Sequence, residues 1–175
     1  EFNLPAPLEE LRRRYREFVR GTVLPLDTDP ASFDEHQNIR AEVLANVRAS
    51  AKAAGLWAPQ MPRERGGQGL PVVGMAACYE ELNYSLFGPV SVNCAAPDDG
   101  NMILLNKVGT PAQKEKYLRP LCEGRAMSCF AMTEPEVAGS DPTLIKTHAY
   151  QDGDEWVING HKWFISNAHR ASFAI

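Results

Sequence analysis

The hydrophobic period changes once along this chain, near Gly124. Before that point apolar residues recur at i, i+3 and i+4, the stripe of one helical face. After it they form short aromatic and β-branched runs separated by turn residues. Helices and strands are therefore segregated in sequence. The expected organisation is a helical domain over residues 1–125, then a β domain over residues 126–175.

In the helical stretch, Leu8, Leu11, Tyr15, Phe18, Val19 and Val23 form one stripe, and Pro25 stops or bends the helix. Arg12, Arg13 and Arg14 lie along it and read as a solvated face rather than a phosphate site. Ser32-Phe33-Asp34-Glu35 fits a capping box, with the Ser oxygen on an orphan N–H and Glu reaching back. It predicts a second helix with Ile39, Val43, Leu44, Val47 and Ala51 inward, ending near Gly55. Gly66-Gly67-Gln68-Gly69-Leu70-Pro71 is a loop. No strand clearly precedes it and no Gly-Lys-Ser/Thr follows, so an interhelical turn is a better reading than a phosphate cradle. A third helix carries Val72, Val73, Met75, Ala76, Tyr79 and Leu82. A fourth, broken near Pro97, carries Met102, Ile103, Leu104 and Leu105 towards Gly109. Thr110-Pro111-Ala112-Gln113 opens a short helix, with Thr as cap, Pro in the first turn and Gln at the capping-box position. That helix is expected to end before Pro120.

After Gly124, residues 128–133 (Ser-Cys-Phe-Ala-Met-Thr) read as a strand. Trp156-Val157-Ile158 and Lys162-Trp163-Phe164-Ile165 flank Asn159-Gly160, which predicts a hairpin, since type I′ turns need positive φ at both central residues. Phe173-Ala174-Ile175 begins another strand, so the sheet is expected to continue past Ile175. Glu1-Phe2, in a sequence that opens without Met, reads as a cloning remnant.

Composition narrows the function classes. The chain has 175 residues, 44% hydrophobic and 23% charged, enough apolar material to exclude wholesale disorder. No stretch approaches the ~18 apolar residues of a membrane span. A net charge of −4 gives no electrostatic reason to expect nucleic acid or an anionic membrane. Cys78, Cys94, Cys122 and Cys129 show neither CxxC pairs nor disulfide spacing, and read as buried thiols in a reducing compartment. The N-terminal residues hold no signal-peptide apolar core.

Residues 133–141 (Thr-Glu-Pro-Glu-Val-Ala-Gly-Ser-Asp) bring hydroxyls, a glycine and carboxylates into a loop behind a strand. By composition alone this is a solvated, acidic turn. Glu134 and Glu136 as paired acid–base carboxylates is the sharper alternative, but i, i+2 spacing fixes no separation. His148, His161 and His169 show no metal-ligand spacing, and His36 is expected at the surface. Trp57, Trp156 and Trp163 read as core or hairpin-face residues. Asp98-Asp99 fit a helix cap.

Phe130-Ala-Met-Thr-Glu-Pro135 followed by Ala138-Gly139-Ser140-Asp141 resembles the first signature of the acyl-CoA dehydrogenases. Asn159-Gly-x-Lys162-x-aromatic-Ile-Ser166-Asn167 resembles the second. Gly109-Thr-x-x-Gln-Lys-x-x-Tyr117-Leu-x-Pro120-Leu-x-x-Gly124 resembles the helix that leads into the flavin loop. Leu56-Trp-Ala-Pro59 and Gly66-Gly67 also fall in order, so the resemblance covers essentially the whole chain. Most members have two residues between Thr-Glu and Ala-Gly-Ser-Asp, where this chain has Pro135, Glu136 and Val137. That variant, with Ala95-Ala96-Pro97-Asp98 and Asp141-Pro-Thr143, resembles a subgroup associated with longer-chain substrates.

The resemblance implies an α+β fold, an all-α N-terminal domain followed by the first strands of a β-barrel-like middle domain. It implies FAD as cofactor, bound through Phe130, Met132, Thr133, Gly139 and Ser140, with Phe164 as the aromatic against the flavin and Ser166 as the hydroxyl near its reactive edge. Phe164 stands where Trp is usual, and Ser166 where Thr is commoner. Thr133 and Ser166 are expected to be buried hydroxyls in need of a partner. Ser140 is also implied to meet the acyl-CoA substrate. The implied reaction is α,β-desaturation of an acyl-CoA, with a glutamate base in a C-terminal helical domain, so no residue here is expected to be catalytic and no metal is expected. Implied partners are acyl-CoA and an electron-transfer acceptor, in a homodimer or homotetramer. The implied location is cytoplasmic in a bacterium, with the mitochondrial or peroxisomal matrix as alternative. Rival readings are a flavin-dependent oxidase or monooxygenase of the same fold, and a non-catalytic helical interaction module.

Overall fold

A computed structural model describes residues 3–175; Glu1 and Phe2, read above as a cloning remnant, lie outside the described residues. The chain divides into two compact units, residues 1–125 and 126–175. The first is helical and holds nearly all the apolar core.

Helix α1 (Ala6–Phe18) does not stop at its stripe. It widens into a π turn at Val19–Val23 and tightens into a 3-10 turn at Leu24–Asp27, where Pro25 offers no N–H to continue the ladder. Tyr15, Phe18, Val19 and Val23 are buried, as the spacing requires. The neighbouring arginines are not all solvated, which corrects the sequence reading. Arg12 Nε and Arg16 Nη2 donate to Glu81 Oε1 at 2.9 and 2.6 Å, and Glu81 is buried. A carboxylate carried inside the fold requires such partners, and they hold it below the usual carboxylate range.

The second predicted helix starts late. Ser32 is a buried end to a 3-10 turn (Pro30–Ser32), not a cap, and α2 runs over Ala41–Ala53. The Asp34 carboxylate takes the N–H groups of His36 and Asn38, closing a loop whose ends pair at Phe33 and Ile39. This local side-chain-to-backbone bonding outcompetes the helix. Gly55, at φ +66, lies just past the end of α2, where a left-handed residue is needed.

The glycine-rich loop is a closed turn. The N–H groups of Gly66, Gly67, Gln68, Gly69 and Leu70 are all spent on carbonyls of residues 58–63, leaving none for a phosphate. Helix α3 (Val72–Leu82) turns a different face inward than its apolar pattern suggests. Gly74, Cys78, Glu81 and Leu82 are buried while Val72 is 77% exposed. A Cβ on Gly74 would stand 3.0 Å from Leu8, so the close approach of α1 sets the rotation of α3.

A short α4 (Gly88–Ser91) precedes α5 (Asp98–Val108), which starts right after Pro97. The Thr110 capping box forms, Thr110 Oγ1 accepting from Gln113 N at 3.2 Å and Gln113 Oε1 from Thr110 N at 2.9 Å. The helix it opens passes Pro120 instead of ending before it. Helix α6 (Pro111–Gln113) gives way to a π turn at Lys114–Leu118, and α7 (Arg119–Cys122) takes Pro120 in its first turn, where no donor is needed. All four cysteines are buried and none is in a disulfide among the described residues. Burial pushes the Cys78 and Cys122 thiols up to about 11.

In the second unit, β1 is only Ser128–Cys129 and pairs in parallel with β4 (Phe173–Ala174). The antiparallel hairpin is β2 (His148–Asp152) with β3 (Glu155–Asn159), turning at Gly153 with φ +60. The predicted turn at Asn159-Gly160 is therefore wrong, and Lys162–Ile165 is no strand. Gly160 is used for close approach: a Cβ there would fall 2.0 Å from Thr147 Oγ1. Among the described residues no helix is long and apolar enough to cross a membrane.

Trp57 ties the helical unit together. Its buried ring donates Nε1–H to the Cys122 carbonyl at 2.8 Å, and the Lys52 ammonium stands 4.3 Å from the ring centroid. Trp57→Phe keeps most of the apolar surface but leaves that carbonyl only the longer contact from Asn93 Nδ2, at 3.5 Å. It should destabilise folding by about 1–3 kcal/mol, measured by urea unfolding.

Candidate functional site

The β unit is organised around Glu134, only 2% exposed. Its Oε2 accepts from Lys146 N at 2.7 Å, and its Oε1 from Thr147 N at 2.8 Å and Thr147 Oγ1 at 2.5 Å. Lys162 Nζ adds a fourth donor to Oε1 at 2.8 Å and also donates to the Met132 carbonyl at 3.0 Å. Lys162 first, then Thr147 and Lys146, hold this carboxyl down to about 2. A carboxylate so satisfied is a poor proton acceptor at neutral pH, which removes Glu134 from any acid–base pair. Glu136 faces elsewhere, its Oε1 lying 3.3 Å from His161 Nδ1 at the surface.

The same contacts draw two sequence motifs together. Lys162 is clamped to residues 132 and 134, and Trp163 N–H donates to the Thr133 carbonyl at 3.2 Å. Gly139 comes close to Thr133 as well, since an added Cβ would stand 3.4 Å from Thr133 Cγ2. Thr133 is half-buried, and neither its N–H nor its hydroxyl has a partner among the described residues. Phe164, at φ +50, is 82% exposed and stacks obliquely on Trp163, with ring centroids 4.6 Å apart. Phe130 is 44% exposed. Asn167 Nδ2 anchors the end of the second motif to the Ser128 carbonyl at 3.1 Å.

Of the seven implied site residues, Met132, Thr133 and Gly139 are thus brought together with the segment that carries Phe164. Ser140 and Ser166 are exposed and make no hydrogen bond among the described residues. The expectation of a buried Ser166 hydroxyl is corrected: Ser166 is exposed, on a segment where Phe164 and Asn167 both take positive φ. Motif reading gives no role to Glu134 and Lys162, although both lie inside the motifs. Their pairing spans 28 positions and has no local signature.

Unsatisfied donors on one segment and exposed aromatic rings on the segment tied to it suit a flat heteroaromatic ligand with acceptor atoms along one edge. That chemistry fits a flavin. Among the described residues no group of three or more His, Cys, Asp or Glu could hold a metal ion.

The fold class is now defined: α+β, a helical N-terminal domain plus the start of a middle domain. Residues 6–125 match the family model of the acyl-CoA dehydrogenase N-terminal domain, and residues 129–175 match that of the acyl-CoA dehydrogenase middle domain. The chain is 37% identical over 166 residues to acyl-CoA dehydrogenase family member 11 of Gallus gallus, covering 91% of this chain and 21% of that protein. It is 34% identical over 176 residues to the probable acyl-CoA dehydrogenase FadE2 of Mycobacterium tuberculosis, covering 96% of this chain and 42% of that one. A solved Mycobacterium abscessus protein assigned as an acyl-CoA dehydrogenase superposes with a TM-score of 0.82 at 40% identity, over 94% of this chain and 43% of that chain. The chain belongs to the acyl-CoA dehydrogenase family. It spans less than half the length of these relatives.

The Glu134 cluster has a pH signature. A carboxyl depressed in the folded state stabilises it above the ordinary carboxylate range, and that contribution is lost as pH falls towards about 2. The Lys146 and Thr147 amide resonances should therefore titrate together with a midpoint near 2, followed by NMR. Glu134→Gln should abolish that titration.

Proposed function

We propose that this chain is the helical and flavin-loop portion of an FAD-dependent oxidoreductase that desaturates an acyl-CoA thioester between its α and β carbons. Family membership supports the reaction class. The observation that carries the reading is the open donor pair at Thr133, its N–H and hydroxyl, on a segment that Trp163 N–H ties to the one bearing the exposed Phe164. FAD, when bound, supplies the hydride acceptor.

In this reading Phe130, Met132, Thr133, Gly139 and Ser140 bind the pyrimidine edge through backbone and hydroxyl groups. Phe164 packs on the ring, without the indole donor a Trp would add. Ser166 supplies a hydroxyl near the reactive edge, and its exposure in this chain leaves it free for a ligand. Ser140 lies between flavin and the pantetheine arm, where a hydroxyl can donate to and accept from an amide. The base that removes the α-proton belongs outside these 175 residues. Glu134 is held ionised by its four donors, and Glu136 and Glu155 are exposed to solvent. Acyl-CoA, an electron-transfer acceptor and further copies of the chain are the proposed partners, in bacterial cytoplasm or an organelle matrix.

Two substitutions test the assignment in the full-length protein. Thr133→Val removes one hydroxyl donor, and a hydrogen bond of about 0.5–1.5 kcal/mol corresponds to roughly a 2- to 10-fold rise in the FAD dissociation constant. Unchanged FAD affinity and an unchanged flavin spectrum would remove Thr133 from the site. Ser140→Ala should raise the acyl-CoA dissociation constant in calorimetry while the melting temperature stays where it is. Equal binding would remove Ser140 from the substrate path.

A further inference from the structure

We infer that Lys162 is a positioning residue for the flavin, acting through the Met132 carbonyl to set the donor strength of the Thr133 amide. The inference rests on the flavin reading above and adds a residue to it that touches neither cofactor nor substrate.

The peptide unit joining Met132 to Thr133 has its carbonyl oxygen at one end and the Thr133 N–H at the other. Resonance couples the two: charge drawn onto the oxygen leaves the N–H more positive. Lys162 Nζ lies 3.0 Å from that oxygen. Hydrogen bonds to a charged group are shorter and stronger than neutral ones, and linked bonds polarise one another. The N–H at the far end has no partner among the described residues, so the polarisation is not absorbed by another of their groups. It is delivered to whatever acceptor meets Thr133.

The ammonium cannot wander. Its second acceptor is Glu134 Oε1 at 2.8 Å, and that carboxylate is pinned by the Lys146 and Thr147 amides and the Thr147 hydroxyl. Only 21% of the Lys162 side chain is exposed, so solvent screens the contact weakly. Trp163 N–H then fixes the next carbonyl, that of Thr133. Consecutive residues of one segment therefore hold consecutive carbonyls of the other, which sets the direction of the Thr133 N–H as well as its strength.

A stronger donor at the pyrimidine edge favours the more electron-rich, reduced flavin over the oxidised one. Loss of the Lys162 charge should therefore lower the flavin reduction potential, and it should weaken reduced FAD more than oxidised FAD. A residue that merely supported the loop would loosen both forms alike and leave the potential in place.

The test uses the full-length protein purified with its FAD, as wild type, Lys162→Met, Lys162→Arg and the double variant Lys162→Met with Glu134→Gln. Potentials are read by dye equilibration during slow reduction, FAD affinity by reconstitution of the apoprotein, and folding by melting temperature. In Lys162→Met we expect a lower potential and about a tenfold rise in the dissociation constant of oxidised FAD, with Lys162→Arg restoring both. Should the single variant fail to fold because it strands a buried carboxylate, the double variant decides, since it removes charge and carboxylate together. A double variant that melts near wild type and keeps a lowered potential supports the inference. A wild-type potential in Lys162→Met or in the double variant overturns it. A wild-type protein that retains no FAD would overturn the flavin reading itself, and this inference with it.

Discussion

The Glu134 carboxylate does for the β unit what an apolar core does for the helical one. Within residues 126–175 only Ser128, Cys129 and Glu134 are buried, and every residue of the β2–β3 hairpin except Val157 is exposed. Within these residues little side-chain burial is present. The unit is held instead by backbone pairing of β1 with β4 and by donors converging on one anion. Lys146 and Thr147 lead directly into β2, while Lys162 follows closely on β3. Both ends of the hairpin are thus tied to the loop bearing Thr133. A charge inside a protein is costly unless fully paired, and this one has as many donors as its lone pairs can use.

The helical unit solves a similar problem with a different surplus. It buries a carboxylate too, Glu81, but carries it within a unit that holds nearly all the apolar core and pairs it with arginines of α1. There the ion pair joins helices that already pack. The glycine-rich loop closes on itself for the same reason: buried or half-buried N–H groups must find acceptors, and the carbonyls of residues 58–63 are at hand. The loop's N–H groups are thereby spent, whereas the Thr133 N–H is not.

Local signals were legible in the sequence wherever the local group had no better partner. The Tyr15-Val19-Val23 stripe, the left-handed Gly55 and the Thr110 box all formed as read. The Ser32 box failed because Asp34, two residues on, captured the available N–H groups first. The Asn159-Gly160 hairpin failed because that glycine was needed against Thr147, and Asp152-Gly153-Asp154, an equally good turn signal, took the hairpin. The α3 face was misjudged because Gly74, not the valines, faces α1. At the site, the motifs marked the neighbourhood of Thr133 and Phe164, but the Glu134–Lys162 contact is a tertiary event. No period or spacing encodes it, nor the positive φ that Phe164 and Asn167 take on either side of the exposed Ser166.

The four interior cysteines bear on how such a protein ages. The species that peroxide and alkylating electrophiles attack is the thiolate in contact with solvent. Cys78 and Cys122 are kept protonated well past neutral pH, and all four sulfurs sit beneath other side chains. Sulfenic acid formation would therefore have to wait for local opening. The durability of the helical unit towards oxidants is set by how often it breathes, not by how many sulfurs it contains.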